Sequence, residues 1–98
     1  MEKRVAHYSI DSIKELIRQQ KYFVTNSARM GYIELGLEDE DALGVVLSLT
    51  PKNFYKSMTS HHDSKVWQDV YHSSFGSIQL YIKLQVVENA IIIAFKEK

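Results

Sequence analysis

Cysteine is absent from the 98-residue sequence, and proline occurs only once, at Pro51. A chain without cysteine has neither disulfides nor thiolate metal ligands, so nothing supports a secreted, disulfide-linked scaffold. The few glycines are scattered, at Gly31, Gly36, Gly44 and Gly76. Because a phosphate-binding loop needs grouped glycines ahead of a helix, no nucleotide cofactor is indicated.

An excess of charge of one sign is also missing, since 12 basic and 12 acidic residues give a net charge of +0. That balance argues against a general binder of duplex DNA. No stretch approaches the roughly 18 apolar residues of a membrane span, and the charged start of the chain is unlike a signal peptide. We therefore expect one soluble, cytoplasmic domain over residues 1–98.

The first part of the chain has helical periodicity. Apolar residues at helical spacing predict a helix from about residue 10 to Gln20, with Ser9 or Asp11 as its N-cap. Residues 22–24 then form a short apolar run of strand-like residues.

Two further helices follow in the sequence. We expect one over residues 27–34, ended by Gly36 in a left-handed conformation. Another should begin at the acidic run 38–41, because carboxylates at a helix N-terminus are stabilised by the helix dipole. That helix should end before Pro51, which cannot continue the hydrogen-bond ladder.

From Phe54 onward the apolar period becomes two, which predicts strands. The clearest strand covers residues 78–86, and its successor covers residues 90–96, with Glu88 and Asn89 as a tight hairpin loop. That register predicts three facing pairs: Tyr81 with Lys96, Ile82 with Phe95, and Leu84 with Ile93.

The preceding strand contains the sequence WQDVY at residues 67–71. If Ser73 to Gly76 form the connection to the next strand, the register predicts three more facing pairs: Trp67 with Ile82, Tyr71 with Ile78, and Gln68 with Tyr81. Asp69 then points towards the core, so it needs a buried partner or a position near an edge.

The register of the strand FYKSMT, residues 54–59, is left open by the pattern. A five-residue connection places Lys56 beside Gln68, whereas a six-residue connection places it across from Asp69 on the other face. Either choice gives an α+β fold, with N-terminal helices packed on a C-terminal antiparallel sheet of about four strands.

Several kinds of chemistry lack their usual residues. His61 and His62 are adjacent, so on a strand they would point to opposite faces, and no HExxH spacing occurs. No nucleophile elbow is present, and no pair of carboxylates is placed for glycoside hydrolysis. We expect neither a metal site nor a cofactor.

What remains is a polar surface with Lys56, Gln68, Tyr81 and Lys96, and with His7 or His72 near its edge. Such a set could bind an RNA backbone and orient a ribose 2′-hydroxyl for attack on the adjacent phosphate. Each residue also has an ordinary alternative, as a solvated charge or a polar position on an exposed sheet face. An unusual environment would be needed for Lys or Tyr to act as acid or base, because both have reference pKa values near 10.

The sequence resembles the MqsR family of mRNA interferase toxins, RelE-like ribonucleases of bacterial toxin–antitoxin pairs. The resemblance extends over the whole chain, and the combination of FYKSMT with WQDVY is its most specific part. The segments that carry it are the opening MEKR with His7, ELGL at 34–37, FYKSMT at 54–59, WQDVY at 67–71, LYIKL with Tyr81 and Lys83, and the final FKEK.

The resemblance implies metal-independent cleavage of single-stranded mRNA at GC-containing triplets, leaving a 2′,3′-cyclic phosphate and a 5′-hydroxyl. It implies that the catalytic residues are Lys56, Gln68 and Tyr81. It places Met58, Lys96 and His7 in or around the substrate pocket. The chain departs from the family at His72, where the relatives commonly have arginine. Histidine is a weaker phosphate contact whose charge depends on pH.

The resemblance also implies a partner, an MqsA-like antitoxin with an N-terminal zinc-binding domain and a C-terminal helix-turn-helix DNA-binding domain. Two hypotheses follow from the sequence. In the first, the protein is a metal-free endoribonuclease toxin; in the second, it is a non-catalytic module of the same fold that binds RNA or the antitoxin.

Overall fold

A computed structural model describes all 98 residues, from Met1 to Lys98. The fold is α+β, as predicted, and its ten elements include one short 3₁₀ turn at Pro51–Asn53. In chain order the others are β1 (Glu2–Lys3), α1 (Ile10–Arg18), β2 (Tyr22–Val24), α2 (Asn26–Glu34), α3 (Asp39–Ser48), β3 (Phe54–Thr59), β4 (Trp67–Phe75), β5 (Ile78–Val87) and β6 (Asn89–Glu97).

The helices begin and end where the sequence predicts, to within two residues. The Ser9 hydroxyl caps α1 by accepting a hydrogen bond from the Ser12 amide at 3.3 Å. Thr25 caps α2 in the same way, through the Ala28 amide at 3.0 Å. Beyond α2, Gly36 has a φ of 81°, the left-handed conformation that ends a helix at little cost for glycine.

The sheet has six strands in the order β1-β3-β4-β5-β6-β2, so the prediction of about four strands was wrong. The four predicted strands form an antiparallel meander, β3 to β6. The extra strands come from the first half of the chain: β1 pairs antiparallel with β3, and β2 pairs parallel with β6. The three helices therefore lie between strands in the sequence, and the first half of the chain supplies both edges of the sheet.

The hairpin of β5 and β6 has the predicted register near its open end only. Tyr81 faces Lys96 and Ile82 faces Phe95, as expected. Leu84, however, faces Ile92 and not Ile93. The reason is a bulge in β6, where Ile93 is an extra residue between Ile92 and Ala94. The loop is correspondingly tighter than predicted. Glu88 alone connects the strands, at a φ of 65°.

The register of β4 and β5 differs from the prediction by four residues. The strand continues through Ser73 to Phe75, which were expected to form the loop, and the turn consists of Gly76 and Ser77. Tyr81 therefore faces His72, and the predicted pairing of Tyr81 with Gln68 was wrong. A shift of four residues keeps every side chain on its predicted face, because the side-chain period of a strand is two.

The position of Lys56 depends on a second bulge. Phe54 faces Tyr71 but Lys56 faces Val70, so β3 has one extra residue at this point. The bulge lets Phe54 pack towards the helices while Lys56 points to the opposite, polar face. Seven residues, 60–66, connect β3 to β4. Lys56 therefore shares a face with Gln68, as in the shorter of the two alternatives, but faces neither Gln68 nor Asp69.

The hydrophobic core lies between the three helices and one face of the sheet. Its sheet side is formed by buried residues such as Leu80, Ile82 and Phe95, and its helix side by residues such as Ile13 and Tyr32. Burial of a large apolar side chain stabilises a fold by roughly 1.5–3 kcal/mol. The other face of the sheet is left uncovered by helices and carries the polar residues.

Helix α2 approaches β6 very closely at Gly31. A Cβ built at this position would lie 2.0 Å from the Phe95 carbonyl oxygen, so only glycine fits. None of the three helices is long and apolar enough to cross a membrane.

Candidate active site

The polar face of the sheet brings together two of the predicted catalytic residues, Lys56 and Tyr81, with two of the predicted substrate-binding residues, His72 and Lys96. Lys56 lies on β3, His72 on β4, Tyr81 on β5 and Lys96 on β6, so four adjacent strands each contribute one side chain. Val70 lies on the floor of this surface, fully buried, with Lys56 on one side and Lys83 on the other. We call Lys56, Lys83 and Lys96 the lysine cluster.

Lys56 is not free in this structure, because its ammonium group forms an ion pair with Glu2 at 2.6 Å. The partner comes from the edge strand β1, which pairs with β3 next to Lys56. The hydrogen bond with Glu2 raises the pKa of Lys56, and the same contact lowers the pKa of Glu2. Lys56 therefore stays protonated at neutral pH and is suited to bind an anion rather than to accept a proton.

Tyr81 is half-buried between lysines. The Lys96 ammonium lies 5.1 Å from the centroid of the Tyr81 ring and the Lys83 ammonium 6.0 Å from it, within the range of cation–π attraction. Burial raises the pKa of the Tyr81 phenol, and the charge of Lys56 opposes that change in part. The phenol is therefore protonated at neutral pH and can donate a hydrogen bond or a proton.

His72 is stacked against the ring of Tyr55, with centroids 4.3 Å apart and planes inclined by 22°. Its own ring centroid is 6.1 Å from that of Tyr81, which faces it across the strands. Burial lowers the pKa of His72, and the positive charge of Lys98 acts in the same direction. At neutral pH the imidazole is therefore uncharged and able to accept a proton.

Gln68 lies elsewhere on the same face. It is four residues along β4 from His72, about 13 Å at the usual rise of a strand. Its side-chain amide donates to the Gln85 side-chain oxygen at 2.8 Å, and Met58 faces it from β3. Gln68 lies on the polar face, as its position in the strand predicts, and Met58 lies beside it, but neither residue is adjacent to Tyr81.

His7 lies on the opposite face of the sheet. Its ring stacks on Trp67 at 5.6 Å, and its Nδ1 atom is 2.8 Å from the Lys3 ammonium. Trp67 is adjacent in sequence to Gln68, so its side chain points the other way. His7 therefore does not join the residues around Tyr81, and its predicted place at the substrate pocket has no support from the geometry.

Asp69 points away from the polar face and is fully buried, so its carboxylate needs hydrogen-bond donors. Its carboxylate, fully buried, accepts hydrogen bonds from the backbone amides of His7 and Tyr8 at 2.9 Å each. A buried carboxylate without such donors would be strongly destabilising. Asp69 therefore fixes the N-terminal segment that carries β1, and with it Glu2, against the sheet.

Sequence reasoning missed three residues of this surface: Glu2, Tyr55 and Lys83. Burial lowers the pKa of Lys83, and repulsion from Lys96 and Lys56 acts in the same direction. The alternation of β5 gave a signal for Lys83, since it lies two residues from Tyr81. Tyr55 and Glu2 had no such signal, because the first depends on a bulge and the second on a pairing across 54 residues of sequence.

No three His, Asp or Glu side chains are grouped so that they could hold a metal ion. The arrangement around Tyr81 consists instead of three cations, one protonated phenol and one neutral imidazole. These groups can bind a phosphate, stabilise added negative charge on it and transfer protons at two points.

Comparison of the sequence with known proteins identifies its class: the protein is a toxin of a family that has a partner. A family model described as "Motility quorum-sensing regulator, toxin of MqsA" matches residues 5–97. The chain is also 38% identical over 98 residues to the mRNA interferase toxin MqsR of Escherichia coli (strain K12), and the match covers 100% of both chains. The chain therefore belongs to the MqsR toxin family, and the resemblance inferred from its motifs is confirmed.

Proposed function

We propose that the protein is an endoribonuclease, the toxin of a type II toxin–antitoxin pair, which cleaves single-stranded mRNA without a metal ion. The observation that carries this proposal is the convergence of the lysine cluster on the half-buried Tyr81 and its neighbour His72. The relationship to an mRNA interferase toxin supports the same activity. The whole chain, residues 1–98, acts as one toxin domain with a RelE-like fold.

The lysine cluster binds the scissile phosphate. Lys56 and Lys96 extend from the outer strands of the four-stranded surface, so a phosphate above Tyr81 lies between them. The transition state of in-line attack carries extra negative charge on the phosphate oxygens, which fixed cations stabilise. Glu2 must release Lys56 when RNA binds, because one ammonium group cannot satisfy both anions fully.

His72 and Tyr81 carry the protons. The neutral imidazole of His72 takes the proton of the ribose 2′-hydroxyl as the 2′-oxygen forms its bond to phosphorus. The bond from phosphorus to the 5′-oxygen breaks, and the Tyr81 phenol donates its proton to that leaving oxygen. The products are a 2′,3′-cyclic phosphate and a 5′-hydroxyl. The opposite pKa shifts of the two groups suit these opposite roles.

Gln68, the third residue in the predicted catalytic set, has a different part in this proposal. Because it lies about 13 Å along the strand from the pair of His72 and Tyr81, it contacts RNA away from the reacting phosphate, together with Met58. Cleavage at GC-containing triplets requires contacts of this kind to bases near the cut.

The partner in this proposal is an MqsA-like antitoxin with a zinc-binding N-terminal domain and a helix-turn-helix C-terminal domain. Any zinc ion then belongs to the antitoxin. The toxin acts in the cytoplasm, where its mRNA substrate is found.

The test is incubation of the purified chain with a defined transcript, with and without EDTA, followed by mapping of the cleaved ends. We expect cleavage in EDTA, with cyclic phosphate and 5′-hydroxyl termini. Lys56→Ala should remove cleavage without loss of the folded state. A wild-type chain that binds RNA but cuts none, or that cuts only with added divalent metal, would contradict the proposal. The first of these results would favour a non-catalytic RNA-binding module.

A further inference from the structure

A second concave region lies on the polar face, beyond the lysine cluster. It encloses about 550 Å³, a volume in the usual range of small-ligand pockets. Its floor is the pair of Gln68 and Gln85, and its walls include Ser60, Asp63, Val66 and Ile93. We call it the amide groove. No residue described so far as binding the phosphate belongs to it.

The charge of the amide groove differs from that of the lysine cluster. None of its nine lining residues is Lys or Arg, and Asp63 adds a carboxylate. A phosphate group would meet the carboxylate of Asp63 here, with His62 as the only imidazole and no lysine or arginine to bind it. A nucleobase, in contrast, is neutral and offers hydrogen-bonding edges, which glutamine amides commonly bind.

The two glutamines present free hydrogen-bonding atoms to this space. The single bond between them runs from Gln68 Nε2 to Gln85 Oε1 at 2.8 Å. No protein group bonds to Gln68 Oε1 or to Gln85 Nε2, and neither atom is a buried unsatisfied group. An acceptor and a donor therefore lie side by side and open to a ligand. Val66 and Ile93 supply apolar contact for the flat faces of a ring.

The groove is held in shape by the chain around it. Residues 60–66 form a closed loop, in which the Ser60 amide donates to the Val66 carbonyl at 2.8 Å and the Lys65 amide donates to Asp63 Oδ1 at 2.9 Å. On the other side, the Thr25 hydroxyl donates to the Ile93 carbonyl at 2.8 Å, at the bulge of β6. A preformed site of this kind loses little conformational entropy when it binds.

We propose that the amide groove is a nucleobase-reading subsite, in which Gln68 and Gln85 bind the edge of an unpaired base of the RNA whose phosphate lies in the lysine cluster. This inference rests on the proposed ribonuclease function and deepens it. The separation of about 13 Å along β4 and β5 corresponds to a base a few nucleotides from the cut. Cations thus position the backbone, and uncharged amides read the sequence.

The experiment uses a short oligoribonucleotide with one mapped cleavage site, in which each base in turn is replaced by an abasic nucleotide. For the wild-type chain, we expect kcat/KM to fall about tenfold at one position a few nucleotides from the cut. In Gln85→Leu, the intact oligonucleotide should still be cleaved, with kcat/KM lower by about the same factor, and removal of the base at that position should cause no further loss. Gln79→Leu is the matched control, because it lies on the same face of β5 outside the groove, and it should keep the wild-type profile.

Two results would overturn the inference while leaving the ribonuclease intact. One is a Gln85→Leu variant that cuts RNA with the wild-type abasic profile. The other is a folded Gln85→Leu variant that cuts no RNA at all, because the groove would then serve catalysis and not base reading. If Gln85→Leu does not fold, Gln85→Asn, which keeps the amide but shortens its reach, gives the same comparison. A wild-type chain that cuts no RNA would instead refute the proposed function.

Discussion

The ammonium group of Lys56 is paired with the carboxylate of Glu2 at 2.6 Å, so one cation of the proposed phosphate site is neutralised before RNA binds. The carboxylate competes with the substrate for the same group. In Glu2→Gln we therefore expect a KM for RNA about twofold to fivefold lower at low salt, with kcat nearly unchanged, since exposed ion pairs are worth little. Steady-state kinetics on a short RNA would measure this. An increased KM would mean that Glu2 positions Lys56 and does not compete with RNA.

The hydroxyl of Tyr81 is the proposed proton donor to the leaving group. Tyr81→Phe keeps the ring between the lysines but removes the donor, so kcat should fall by about 10²–10⁴ with little change in RNA binding. Single-turnover cleavage and a binding assay would separate the two effects. Tyr22→Phe, a partly buried tyrosine of β2, is the control and should cleave like wild type. A Tyr81→Phe variant with wild-type kcat would exclude the phenol as the acid.

The pH dependence of cleavage should report the proton acceptor. Burial lowers the pKa of His72 below the ordinary value of about 6.5, so the imidazole loses its proton as pH rises through that lower pKa. If His72 is the base, kcat/KM should rise with pH over this acidic range and level off near neutrality. The groups around His72 are Tyr55, Tyr81 and Lys98. Burial raises the pKa of Tyr81, so that phenol stays protonated over this acidic range and the rising limb belongs to His72.

His72→Gln should remove that acidic limb and lower the plateau. The contrary role, in which a charged His72 binds the phosphate as a cation, predicts activity that decreases as pH rises through the same range. In that case His72→Arg would equal or exceed the wild type at neutral pH. We expect it to be slower, because guanidinium cannot accept a proton.

Asp69 should be important for stability rather than for chemistry. Asp69→Ala leaves the partly buried backbone amides of His7 and Tyr8 without their acceptor, which should lower the free energy of unfolding by about 2–4 kcal/mol. Asp69→Asn keeps one acceptor oxygen and should lose less. Urea denaturation would measure both, with Glu34→Ala, an exposed residue outside any ion pair, as the control. Hydrogen exchange should be accelerated at His7 and Tyr8, and unchanged exchange there would contradict the assigned role.

The residues of the polar face could be predicted from the sequence, whereas their arrangement next to one another could not. Alternation in β5 assigned Tyr81 to the polar side, and the short hairpin fixed its partner as Lys96. The register of β4 was wrong by four residues because Ser73 and Ser74, which have the composition of a loop, extend the strand. Periodicity determines the face of a side chain, but a shift by an even number of residues leaves the face unchanged.

The two bulges were beyond the reach of a period-two pattern. At Tyr55 the extra residue separates the inward Phe54 from the outward Lys56, which is why alternation left Lys56 undecided. Strand β1 was missed for another reason. Two residues are too few for a periodic signal, and Glu2 is held in place through contacts with β3, from the middle of the chain.

Strand β6 is synthesised after every other element, yet it lies inside the sheet between β5 and β2. Helix α2 depends on it through the close approach of Gly31 to Phe95, and the cap of that helix bonds across 68 residues to Ile93. During synthesis, α2 and β2 therefore cannot pack in their final positions until β6 has left the ribosome. Because β6 also carries Lys96, the nascent chain lacks part of the proposed phosphate site before that point.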